Sequence, residues 1–113
     1  MTWKNELLKN FKLYAVTDLK ENDPHFLKKA EDALRGGVDI LQLRSGTLKD
    51  GELLRLGLEL RVMTRKMKKL FIVNDRPDIA VGCGADGVHL GKTDMSPHEA
   101  RQELGTNAII EQP

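Results

Sequence analysis

The chain has 113 residues, 40% of them hydrophobic and 31% charged, and a formal net charge of +1. That is the length of one soluble globular domain, and the near-zero charge excludes general steering towards nucleic acid or an anionic membrane. A lone cysteine, Cys83, excludes an internal disulfide and suits a reducing cytoplasm.

Residues 1–11 read as a helical N-terminal extension, and MTWKNELLKNFK is too charged for a signal-peptide core. KLYAVTD (12–18) is a short apolar run ending in polar residues, the pattern of a strand. The next helix takes Asp23 as N-cap, Pro24 as first helical residue and Gly36–Gly37 as its stop. Its Leu27, Ala30 and Leu34 share one face. VDILQLR (38–44) is the second strand. In the segment that follows, Leu53, Leu56, Leu60, Met63 and Met67 recur at spacings of three and four, drawing one apolar stripe on a long helix. Arg65, Lys66, Lys68 and Lys69 suit the negative end of its dipole. LFIVND is the third strand, RPDIAVGCG a short helix or turn ended by glycine, and ADGVHLG the fourth strand. SPHEARQELG is a compact helix with a Ser96/Glu99 capping box, Pro97 at its first position and Gly105 at its end. NAIIEQP begins a fifth strand.

Strand–helix units with short connections imply an α/β fold of parallel strands joined by right-handed crossovers. An open doubly wound sheet and part of a (β/α)₈ barrel both fit. Either places its chemistry at the carboxyl ends of the strands, where Asn74 and Asp75 follow one apolar run and Asp94 follows another. Converging carboxylates there suit a hard cation such as Mg²⁺ that also bridges substrate phosphates. Structural readings stand beside this one: Asp75 as N-cap of the next helix, and Asp94 as a turn residue. Gln42 and Arg44 lie two apart, so they project from one face of their strand, with Leu41 and Leu43 on the other. An amide reads a heterocycle edge and a guanidinium fork grips phosphate; the alternative is an ion pair of Arg44 with a neighbour such as Asp18. His89 reads as a strand core residue, His25 and His98 as surface helix residues, and Cys83 as packing. No Walker, zinc-type CxxC, G-x-S-x-G or dinucleotide glycine motif is present.

LYAVTD, ALRGGVDILQLR, FIVNDRPDIAVGCGADGVHLGKTDMSPHEAR and LGTNAII resemble, in order and spacing, the N-terminal half of thiamine phosphate synthase, over about Lys12 to Ile110. The resemblance implies half of a (β/α)₈ barrel, four βα units plus the start of a fifth strand, since a whole barrel takes about 250 residues. It implies condensation of hydroxymethylpyrimidine diphosphate with thiazole phosphate, release of pyrophosphate, and dependence on Mg²⁺. Residue by residue, Gln42 and Arg44 match the pair that contacts the pyrimidine diphosphate, Asn74 the pyrimidine-site asparagine, and Asp75 and Asp94 the metal-binding acids. No residue matches a protein nucleophile. Where the family reads Q-x-R-E-K, this chain reads QLRSG, with Ser45 and Gly46 in place of Glu and Lys. Lys49 and Lys92 are candidates to replace that lysine. The related thiazole tautomerase branch, and a non-catalytic half-barrel module, are the alternatives. A half-barrel with open edges is expected to form a homo-oligomer, or to pair with a C-terminal half-barrel chain, and to show negligible turnover alone.

Overall fold

The computed structural model describes residues 3–20, 23–91 and 95–112. Helices and strands alternate: α1 (Trp3–Asn10), β1 (Tyr14–Asp18), α2 (Phe26–Arg35), β2 (Ile40–Arg44), α3 (Asp50–Lys66), β3 (Leu70–Asn74), α4 (Pro77–Cys83), β4 (Gly87–His89), α5 (Pro97–Leu104) and β5 (Ile109–Glu111). All four strand pairings are parallel, and the sheet order is β1-β2-β3-β4-β5. A doubly wound sheet reverses its strand order at a switch point; this sheet never does. Barrel order is therefore the one the chain adopts.

Period-two geometry gives the sheet two unlike faces. Leu41, Leu43, Phe71, Val73 and Val88 face outward and pack with Leu34, Leu53, Leu56, Leu60, Ile79 and Ala100 of the helices. Leu60 and Phe71 are wholly buried; each such side chain contributes roughly 2 kcal/mol by leaving water. The α3 stripe lies where its spacing predicts, with Leu53, Leu56 and Leu60 buried and Met63 and Met67 partly so. The inner face carries a smaller cluster, in which Ile40, Leu70 and Ile72 pack with Trp3 and Leu7 of α1 and with Tyr14 and Ile109. Thus α1 closes the amino-terminal end of the inner face.

The sheet is strongly curled. In a flat sheet β1 and β5 would stand about 19 Å apart, four strand spacings, too far for two side chains to bridge. Here the Tyr14 hydroxyl of β1 is hydrogen-bonded to Glu111 of β5.

Helix ends follow local chemistry with one correction. The Ser96/Glu99 capping box forms, with Pro97 in the first turn, and Gly84 ends α4 in the left-handed conformation. The second helix, however, starts at Phe26 and not at Pro24. Asp23 accepts the His25 N–H through its side chain at 2.9 Å and the Phe26 N–H through its carbonyl, so it builds a turn ahead of the helix. At the end of α3, Lys68 takes φ 57°. The Lys69 N–H donates back to Thr64 O at 2.8 Å and the Lys68 N–H to Arg65 O at 3.1 Å, the Schellman pattern that favours glycine. Lys68→Gly is expected to raise stability by about 0.5–1 kcal/mol, the relieved left-handed strain less the extra chain entropy of glycine. A urea unfolding midpoint that falls would refute this cap.

Two acids fasten the amino-terminal ends of the strands. Asp39 accepts the Lys12 N–H at 2.9 Å and pairs with Lys69 at 2.9 Å; the Lys12 N–H and then Lys69 hold its carboxyl below the usual range. Asp86 accepts the Phe71 N–H at 2.8 Å and pairs with Lys4 of α1 at 2.5 Å. In barrels this end serves stability. No helix among the described residues is long and apolar enough to cross a membrane.

Candidate functional site at the carboxyl ends of the strands

Going up the inner face from α1, apolar rows give way to polar ones. Gln42, Ile72, Gly87 and Ile109 share a level, with Val16 beside Gln42. Asn74, His89 and Glu111 stand together on the next level, and Asp18 is level with Arg44. The inward direction of Gln42 and Arg44 follows from Leu41 and Leu43 packing under the helices. An inverted register would have removed both residues from the site.

Gln42 is only 5% exposed, and a buried amide without a partner is costly. Its Nε2 donates to the Tyr14 hydroxyl at 2.9 Å. That phenol is held neutral well above its usual range, by burial first and then by its bond to Glu111. Glu111 also lies 3.9 Å from Nδ1 of His89. The Arg44 side chain is exposed. Among the described residues it forms no ion pair, and in particular none with Asp18. The pairing with Asp18 as a structural alternative for Arg44 is thereby removed.

Asp75 follows Asn74 with φ 58°, a left-handed conformation costing an aspartate about 1–3 kcal/mol. Its N–H donates to the His89 carbonyl at 2.7 Å, which holds it there. Nor is Asp75 the cap of α4. The N-cap is Arg76, with no side-chain cap bond, and its guanidinium grips Asp78 at 2.8 and 3.0 Å and Asp50 at 2.9 Å. Those two carboxylates raise the Arg76 pKa further and occupy it as a clamp between the starts of α3 and α4. Strain at a strand end, in a residue that is not the N-cap of α4, makes Asp75 a candidate for the site.

Of the residues singled out in the sequence, Gln42, Asn74 and His89 share the inner face, Asn74 and His89 on one level and Gln42 on the level below, while Arg44 ends β2 and Asp75 follows the end of β3. Asp94 and Lys92 lie outside the described residues. Ser45 is a turn former: its hydroxyl accepts the Leu48 N–H at 3.1 Å and the Thr47 N–H at 3.3 Å. Lys49 is the exposed N-cap residue of α3. Cys83 is buried, and burial pushes its thiol pKa up. Sequence reasoning missed Tyr14, Glu111 and Arg76. Tyr14 shares its strand face with Val16, which was legible; that β5 curls round to meet it was not. Among the described residues no cluster of three or more His, Cys, Asp or Glu side chains is placed to hold a metal alone.

A groove of about 1100 Å³ lies at the opposite end, lined by Trp3, Lys4, Arg65, Asp86 and Arg101 among others. Its size does not make it the site. Lys4 is paired with Asp86, Arg101 donates to the carbonyls of Gly105, Thr106 and Ala108, and barrels keep their chemistry at the other face.

The thiamine monophosphate synthase family profile matches residues 13–112. The chain belongs to that family. It is 44% identical over 110 residues to the thiamine-phosphate synthase of Clostridioides difficile, covering 95% of this chain and 51% of that one. It is 45% identical over 99 residues to a putative thiamine-phosphate synthase 2 of Aquifex aeolicus, covering 88% and 53%. The solved thiamine phosphate pyrophosphorylase from Pyrococcus furiosus superposes with a TM-score of 0.76 at 32% identity, over 90% of this chain and 49% of that one. The chain thus spans about half the length of the family relatives it matches, and its five parallel strands correspond to a partial barrel.

Proposed function

We propose that this chain carries the pyrimidine diphosphate side of a thiamine phosphate synthase site, acting in the cytoplasm. The reaction joins hydroxymethylpyrimidine diphosphate to thiazole phosphate and releases pyrophosphate. The observation that carries the reading is the Arg44 guanidinium at the end of β2, which has no ion pair among the described residues, beside the strand that ends in Asn74 and is followed by the strained Asp75.

In this reading Gln42 and Asn74 hold the pyrimidine edge above the apolar floor of Ile40, Leu70 and Ile72. Arg44 grips the diphosphate as a fork and stabilises the charge that grows as pyrophosphate leaves. The pyrimidine methylene then becomes cation-like, and the thiazole nitrogen takes it as the new C–N bond forms. No protein nucleophile enters. The carboxylate oxygens of Asp75 are hard donors and fit Mg²⁺, which is held by one or two carboxylates together with substrate phosphates; Asp94 would be the second. When bound, Mg²⁺ neutralises charge on the diphosphate. Retention of both acids favours the synthase over the tautomerase branch.

Calorimetric titration with the pyrimidine diphosphate, with and without Mg²⁺, tests this. Mg²⁺ is expected to tighten binding by about 10–100-fold, the range of a charge-assisted contact. Asp75→Asn should abolish that gain while leaving the backbone intact, because asparagine tolerates the left-handed conformation. Affinity indifferent to Mg²⁺ would overturn the metal assignment.

A further inference from the structure

Three inner-face residues form a hydrogen-bonded chain whose direction is decided by chemistry. A carboxylate oxygen only accepts, so the Tyr14 hydroxyl uses its single proton on Glu111. The phenol oxygen is then left as an acceptor, and what faces it from Gln42 must be an N–H. The ends of an amide are otherwise interchangeable in outline; here Glu111, on the far edge strand, selects one. The Gln42 NH₂ turns to Tyr14, and Oε1 turns away. That oxygen takes no hydrogen bond among the described residues, and none of their side-chain polar atoms is both buried and unpartnered. The residual exposure of Gln42 therefore includes Oε1.

We propose that Tyr14 and Glu111 are positioning residues for Gln42, locking its amide so that the carbonyl oxygen is left to accept from a ligand, and the site selects a heterocycle edge bearing an N–H donor. The choice of a heterocycle rests on the function proposed above; the lock does not. His89, 3.9 Å from the same carboxylate, is the other polar neighbour on this level. The phenol supports the arrangement: Glu111 raises its pKa, whereas the N–H from Gln42 lowers it. Two neighbours thus pull one proton in opposite directions.

Tyr14 is the only tyrosine in the chain, so the phenolate band in the near ultraviolet reports it alone. In the full chain, Glu111→Leu is expected to move the phenol titration to lower pH and Gln42→Leu to higher pH. Mere loosening of the inner face would expose the phenol and lower both, so shifts of the same sign would overturn the lock. The second measurement is made at neutral pH. An amino-substituted hydroxymethylpyrimidine diphosphate is compared with the analogue carrying methyl in place of the amino group. The native chain is expected to prefer the amino compound by about tenfold, the worth of one buried hydrogen bond. Glu111→Leu should lose that preference, and Glu111→Gln, which keeps an acceptor for Tyr14, should restore most of it. Equal affinities in the native chain, or a preference that survives Glu111→Leu, would overturn the positioning role. Opposite phenol shifts with no binding of either pyrimidine would uphold the lock and defeat the proposed function instead.

Discussion

Gly87→Ala is expected to destabilise the fold by about 3 kcal/mol, the upper range of overpacking, and to uncouple β5 from β4. Gly87 is buried on β4, level with Ile109. A Cβ there would lie 2.0 Å from the Ile109 carbonyl oxygen and 2.6 Å from the Ile109 Cβ. The first obstacle is backbone, so no rotamer change relieves it and the strand itself must move. With three residues in each strand, that ladder has little to lose before it fails. Movement of β5 would also carry Glu111 away from Tyr14. Gly46→Ala is the control, since nothing among the described residues lies within 4 Å of a Cβ at that position, and it should change stability by less than about 0.5 kcal/mol. Urea unfolding of both variants decides the matter. A Gly87→Ala chain as stable as the native one would show that β4 and β5 do not approach so closely.

Asp86→Ala should be the most harmful change among the acids, at about 2–3 kcal/mol. The Asp86 side chain is 11% exposed. Its carboxylate satisfies the N–H of Phe71, itself a wholly buried residue. Truncation leaves that donor unpaired, at a cost of about 1–3 kcal/mol, and frees Lys4, the ion-pair anchor of α1. Asp86→Asn keeps an oxygen for Phe71 and gives up only the charge, so it should cost about 1 kcal/mol or less. The order of the two unfolding midpoints is the test; equal losses would mean that the ion pair, not the Phe71 bond, carries the contribution. The residue acts on the site indirectly. The Asp86 N–H donates to Phe71 O and the Asp86 carbonyl accepts from the Ile109 N–H, which sets the level at which Asn74 meets His89.

Much of this was legible in the sequence because it depends on near neighbours. The α3 stripe, the Ser96/Glu99 box and the alternation of Leu41 and Leu43 with Gln42 and Arg44 are written in spacings of two, three and four residues. Such spacings determine which face a side chain takes once an element forms. Family-like runs around QLR and NDRPDIAVGCGADGVHLG named the residues of the proposed site for the same reason, since each sits at a fixed offset from a strand end. Asp75 was located but its state was not. Its left-handed backbone arises from a bond to the carbonyl of His89, on the neighbouring strand. Whether Arg44 met Asp18 was open in the sequence as well, because register makes the two level without making them touch.

The sequence by itself determined the elements, the two faces of each strand, and the carboxyl end as the place for Gln42, Arg44, Asn74 and Asp75. Only the tertiary structure decided barrel order over a doubly wound sheet, and with it the curl that brings Tyr14 to Glu111 across 97 positions of chain. The physical reason is one of range. Periodicity and capping are set by neighbours a few residues away, whereas the partner of a buried hydroxyl or amide is whichever strand the curled sheet presents to it.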